Sequence, residues 1–78
     1  MKKVLVYSTD SCPFCTMAKD FLKGHNVKFE EYNVAEDPEK LEEMFKKSKQ
    51  SGVPVLDIAG EIIIGFDEFK IKQALGLK

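Results

Sequence analysis

The chain has 78 residues, with 12 basic and 13 acidic side chains and 44% hydrophobic residues. That length suits one small domain spanning residues 1–78, and the ordinary apolar content excludes a disordered chain. A net charge of -1 gives no electrostatic reason to expect nucleic acid or an acidic membrane as a partner.

The opening stretch MKKVLVYSTD places two lysines before an apolar run, as a signal peptide does. The run ends after Tyr7, short of the roughly seven or more apolar residues of an h-region. No segment approaches the ~20 apolar residues of a membrane span. The chain is therefore expected in the cytoplasm and off the membrane. In that compartment a cysteine pair points to catalysis or metal binding rather than to a permanent crosslink.

KVLVYS reads as a strand apolar on both faces, Val4 and Val6 to one side and Leu5 and Tyr7 to the other. Such a strand is central and covered twice. After Pro13 the period changes. Phe14, Met17, Ala18, Phe21 and Leu22 follow helical spacing and are expected to form one buried stripe. Pro13 suits the first helical turn, and Gly24 and Asn26 close the helix. VKFEEYNV is a second, more exposed strand. Asp37-Pro38 pairs an N-cap with a helix-starting proline, and Leu41, Met44 and Phe45 are expected to be the buried stripe of that helix. Its acids lie early and its lysines late, matching the macrodipole. Glu42–Lys46 and Glu43–Lys47 are i,i+4 pairs, so the charge run from Glu36 to Lys49 is expected to be a solvated face. Val55–Ile58 and Glu61–Ile64 flank Ala59-Gly60 as a tight hairpin. Asp67 caps a last helix with Ile71, Ala74 and Leu75 inward. The order is β-α-β-α-β-β-α.

Both cysteines fall at the first strand-to-helix junction, Cys12 at the N-cap and Cys15 one turn in. Three roles compete. As a staple, a bridge between them closes a tiny loop and gains little from loop entropy. A zinc site needs four ligands. The chain offers two cysteines and His25, which sits at the far end of the same helix. A carboxylate or a second chain would have to complete such a site. As a reactive dithiol, the pair is well placed. Orphan N–H groups and the helix dipole favour a thiolate at the N-terminus, and the thiolate is the nucleophile in disulfide exchange. Cys12, at the exposed end, is then the nucleophile. Cys15 resolves the mixed disulfide at a spacing that lets the ring close.

YSTDSCPFCTMAKDFL and SGVPVLDIAGEIIIGFDE together resemble the glutaredoxin family, over nearly the whole chain. The combination is specific: Cys-Pro-aromatic-Cys after a strand, then a Val-Pro about forty residues on and a Gly-x-Asp turn. The resemblance implies a thioredoxin fold of the α/β class, with a four-stranded mixed sheet flanked by three helices. It implies a thiol–disulfide oxidoreductase that reduces protein disulfides or glutathione mixed disulfides, with Cys12 as nucleophile and Cys15 as resolving thiol. It implies that Pro54 is cis and that the Val53 backbone pairs with the substrate strand or with glutathione. It also implies that Pro13, Phe14, Gly65, Phe66 and Asp67 line the substrate site, with Asp67 meeting the γ-glutamyl end of glutathione. The chain is expected to be a monomer with no metal and no tightly bound cofactor, glutathione serving as co-substrate.

Four positions depart from the common family pattern. Phe14 stands where many members have Tyr, and Thr9 where many have a basic residue that helps hold a glutathione carboxylate. Gly52 precedes Val53-Pro54 where many have Thr, and Ile64 precedes Gly65 where many have Gly. These changes resemble a smaller branch, the YruB type and the redoxins that serve ribonucleotide reductase. Some members of that branch are reduced by thioredoxin reductase instead of glutathione. An iron–sulfur carrier, with Cys12 and glutathione from two chains holding a cluster, is the alternative from another class. In the family, Pro13 disfavours it. An inert binding module that keeps only the fold is the third reading.

Overall fold

The structure, a computed structural model, describes residues 3–76. Met1 and Lys2 of the lysine-led opening, and Leu77 and Lys78, lie outside the described residues. The elements are β1 (Val4–Ser8), α1 (Pro13–Gly24), β2 (Glu30–Asn33), α2 (Pro38–Ser48), β3 (Val55–Ile58), β4 (Glu61–Ile64) and α3 (Glu68–Leu75). The sheet order is β2-β1-β3-β4, with β2 parallel to β1 and the two other pairings antiparallel. The mixed α/β sheet is thus the one the sequence led us to expect.

The two-residue link at Ala59-Gly60 works because both residues adopt positive φ, 53° and 94°, the geometry a two-residue hairpin needs. Alternation along the strands then sorts side chains to two faces. Val4, Val6, Leu56, Ile58 and Ile63 meet Ala18 and Leu22 of α1 and Ile71 and Ala74 of α3. On the opposite face Tyr7 and Val55 meet Val34, just past β2, and Met44 of α2.

Both helical stripes differ from expectation. On α1 the buried residues are Cys15, Ala18 and Leu22, while Phe14 is 59% and Met17 47% exposed. The helix is rotated so that Cys15, not Phe14, looks at the sheet. On α2 the buried residues are Met44 and Ser48, whereas Leu41 and Phe45 are exposed. The stripe there is one residue wide because α2 also turns Glu43 and Lys47 toward the sheet. The charge run is therefore not a purely solvated face. Lys47 Nζ donates to Tyr7 Oη at 2.8 Å and to Asp57 Oδ2 at 2.7 Å, and the Tyr7 hydroxyl donates to Glu43.

Candidate active site

The first part of the site is built by the turn from β1 into α1. Cys12 is extended, with φ -100° and ψ 106°, and Pro13 supplies the first helical residue. This puts the Cys12 sulfur over the open end of the helix, where the Cys15 N–H donates to Cys12 Sγ at 3.1 Å. Cysteine thus fills the place of a side-chain cap, which Ser or Asp more often takes. Negative charge on that sulfur faces an amide donor and the positive end of the helix dipole.

The two sulfurs differ sharply. Both are free thiols, Cys12 half-buried and Cys15 buried. Burial, helped by the hydrogen bond with Cys12, pushes the Cys15 thiol up to about 12. The Thr9 backbone and the Lys19 charge pull the other way. Cys15 is therefore protonated at neutral pH, and Cys12 is the sulfur within reach of solvent.

The second part comes from the ends of β3 and β4. Val55 pairs with Tyr7 on one side and Ile64 on the other. That register brings the start of β3 and the end of β4 to the end of the sheet where β1 finishes and the chain turns toward α1. Just beyond it, the Val53–Pro54 peptide is cis, and Pro54 is buried. The Gly65 N–H donates to the Pro54 carbonyl at 2.8 Å, with Gly65 at φ 79°, a conformation that suits glycine. The N–H and C=O of Val53 are both without a hydrogen-bond partner among the described residues. Asp67 caps α3, its carboxylate accepting from Lys70 N–H at 3.1 Å. Phe66 packs edge-on against Phe21, centroids 6.0 Å apart, and joins the apolar core. Pro13 and Phe14 are exposed beside Cys12.

His25 is exposed at the far end of α1, stacked against Phe21 at 4.5 Å. Among the described residues no three His, Cys, Asp or Glu side chains gather to hold a metal ion. No described helix is long and apolar enough to cross a membrane.

One neighbour of the cysteines was missed by sequence reasoning. Lys19 lies one turn beyond Cys15 and binds Glu31 at 2.6 Å, and Glu31 also accepts from buried Ser8 at 3.0 Å. The i,i+4 step from Cys15 to Lys19 was the available signal; the β2 partner was not visible, because strand pairing is a tertiary fact.

Known proteins resemble this chain in sequence and in fold. The glutaredoxin family model matches residues 4–63. An uncharacterized glutaredoxin-like 8.6 kDa protein in the rubredoxin operon of Clostridium pasteurianum is 46% identical over 72 residues, covering 92% of this chain and 96% of that protein. Glutaredoxin 3 of Escherichia coli strain K12 is 34% identical over 76 residues, 97% of this chain and 92% of its own length. A crystal structure of a point mutant of the thioredoxin-like protein BC3987 superposes with a TM-score of 0.92, at 35% identity and 100% coverage of both chains. The four-stranded sheet with its three helices is thus a thioredoxin fold.

Proposed function

This chain belongs to the glutaredoxin family, and we propose that it is a cytoplasmic thiol–disulfide oxidoreductase working through Cys12 and Cys15. The observation that carries this reading is the pair of unequal thiols at one helix end. Cys12 Sγ is capped by the Cys15 N–H at 3.1 Å and Cys15 lies buried beneath it.

Cys12, as thiolate, attacks one sulfur of a substrate disulfide. A Cys12–substrate disulfide forms, the original S–S bond breaks, and the other substrate sulfur leaves as a thiolate that takes up a proton. Cys15 then attacks Cys12 Sγ, its proton passing to the substrate sulfur that departs. The Cys12–Cys15 bond forms and the second substrate thiol is released. Two electrons have passed to the substrate, and a reductant reopens the ring. A thiol that holds its proton to about 12 stays out of the first step, so substrate contact begins at Cys12. The substrate backbone lies along the free N–H and C=O of Val53, as a short strand addition. Where the substrate is a glutathione mixed disulfide, Asp67 and the open N-terminus of α3 face the γ-glutamyl end.

A second reading concerns the electron donor. Thr9 and Ile64 stand where a basic residue and a glycine commonly support glutathione, which favours thioredoxin reductase over glutathione as the reductant. Losing one charged partner weakens binding by ~1.5–3 kcal/mol, tenfold or more.

The test follows NADPH consumption by the oxidised protein in two parallel systems, glutathione with glutathione reductase and thioredoxin reductase alone. Turnover in either supports the oxidoreductase, and which one responds names the donor. Cys12→Ser should abolish exchange, and Cys15→Ser should retain only the monothiol reduction of glutathione mixed disulfides. Full activity in Cys12→Ser would refute the assignment.

A further inference from the structure

Between α2 and the cis Val53–Pro54 peptide the chain crosses a short loop, residues 49–53. It begins at Lys49, which closes α2 in a left-handed conformation, φ 64°. Gln50 then folds its side chain forward over Gly52. Its Oε1 accepts from the Gly52 N–H at 2.6 Å, and its Nε2 donates to the Gly52 carbonyl at 3.0 Å. One side-chain amide thus holds both backbone groups of a single residue. The orientation of that amide is settled by its partners, since turning it over would set N–H against N–H and oxygen against oxygen.

The amide is braced from behind. Gln50 Nε2 also reaches Ser48 Oγ at 3.4 Å. The Ser48 hydroxyl, 9% exposed, lies 2.8 Å from the Met44 carbonyl and 2.9 Å from the Gln50 carbonyl, its proton shared between them. The brace therefore anchors the loop to the last turn of α2, which is itself packed on the sheet through Met44.

We propose that Gln50 is a positioning residue that aims the Val53 N–H at the substrate backbone, with Ser48 holding Gln50 in place. The physical link is the planarity of the peptide unit. The Gly52 carbonyl and the Val53 N–H belong to the same plane and point in opposite directions. Fixing the first fixes the second. Glycine is the residue whose backbone is most expensive to order, and Gly52 is followed directly by the group that must meet substrate. A clamp present before binding removes that ordering from the binding step. The inference rests on the reading that substrate lies along Val53 and reacts at Cys12.

A built-in second handle comes from Gly52. A Cβ there would meet Gln50 Oε1 at 2.7 Å. The far end of a glutamine can swing away, so Gly52→Ala should fold while losing the clamp. Gln50→Ala loses the same clamp by truncation. The two variants therefore remove one feature, and their effects should not add.

The experiment mixes pre-reduced protein with excess of a short fluorescent peptide carrying a glutathione mixed disulfide, and reads the single-turnover rate. In parallel it reads the rate of Cys12 alkylation by iodoacetamide, which needs no backbone pairing. Gln50→Ala and Gly52→Ala should each slow the peptide reaction roughly three- to tenfold, the range of one net hydrogen bond. The double variant should be no slower than the worse single one, and alkylation should match the parent in all three. A parent-like peptide rate in Gln50→Ala, multiplying effects in the double variant, or alkylation falling in step would each overturn the proposal. A parent protein inert toward the peptide but alkylated normally would overturn the underlying reading and this one with it, before any variant is made.

Discussion

The two faces of the sheet are built from the same strands and are chemically unlike. The α1 and α3 face is apolar throughout its centre, Val4, Val6, Leu22, Leu56, Ile58 and Ile71 all being nearly or fully buried. The α2 face has a small apolar patch, Tyr7, Val34, Met44 and Val55, and beside it a polar network. There Lys47 sits between Tyr7 and Asp57, and Glu43 accepts from Tyr7. Asp57 also accepts from the Gly60 N–H at 2.8 Å, tying the network to the hairpin. The apolar face holds the fold together and carries Cys15 on the helix that it supports. The polar face fixes where α2 lies, and with it the loop that leads to Val53 and Pro54. One face supports the helix that carries the cysteines, and the other holds the helix that leads to the cis Val53–Pro54 peptide.

That division can be tested from its strongest element downward. Leu22→Ala, at a fully buried position of the apolar face, should lose about 2–5 kcal/mol, as core truncations do. A urea midpoint unchanged within error would mean that this face does not carry the core. Lys47→Met should lose about 2 kcal/mol, because it leaves Asp57 with an unpaired charge near the sheet. The side chains of Lys47 and Asp57 are 29% and 12% exposed, so water relieves part of the penalty. Adding Asp57→Leu should recover much of the loss. If the double variant is worse than Lys47→Met alone, the pair is not what positions α2.

The next effect is a pH dependence drawn from both faces. Folded, Cys15 keeps its proton up to about 12 against an ordinary 9.0, through burial first and the Cys12 bond second. Tyr7 does so up to about 12 against an ordinary 10.0, through burial and then its bond to Glu43. As pH rises the unfolded chain ionises first. The stabilisation from these groups is therefore complete below 9.0 and is lost progressively toward 12. Urea midpoints measured from about pH 8 to about pH 11 should fall, Cys15→Ala flattening the fall from about pH 9 upward and Tyr7→Phe only from about pH 10 upward. At the acid end, hydrogen bonds from Lys19 and Tyr7 hold Glu31 and Glu43 below the ordinary 4.5. Their contribution is present above 4.5 and disappears as pH drops. The smallest effect belongs to the solvent side of α2. Glu42 and Lys46 meet at 3.2 Å with 68% and 72% of their side chains exposed. Glu42→Ala should change stability by only a few tenths of a kcal/mol, and a larger loss would mean that this surface is not merely solvated.

Much of the fold was legible because its signals are local. Pro13, Asp37-Pro38, Ala59-Gly60 and Asp67 punctuate the chain where the structure turns, and β3 and β4 begin and end where their residues predict. The cysteine junction was legible for the same reason, since a proline and an N-cap need only their neighbours. The helical stripes were less so. Periodicity marks an apolar arc but not its centre, and Phe14, Met17, Leu41 and Phe45 lie on the rims of arcs whose middles are Cys15 and Met44. The β-rich run of residues 27–34 predicts a longer strand than the observed Glu30–Asn33, because strand ends are set by the partner strand.

By itself the sequence determined the order of elements, the place of Cys12 at a helix start and of Cys15 one turn in, and the family resemblance. The first two follow from backbone preferences and spacing over a few residues, and the third from the motifs around Cys12, Pro54 and Asp67. Only the tertiary structure decided that Lys47 bridges to Asp57, that Lys19 meets Glu31, and that Gln50 grips Gly52 just before Val53. The first two joins span ten or more residues along the chain. The third is local, yet it depends on the angle at which the chain leaves α2. A side chain's rotamer and partner are chosen by packing against elements that arrive from elsewhere in the chain, and no local spacing encodes them.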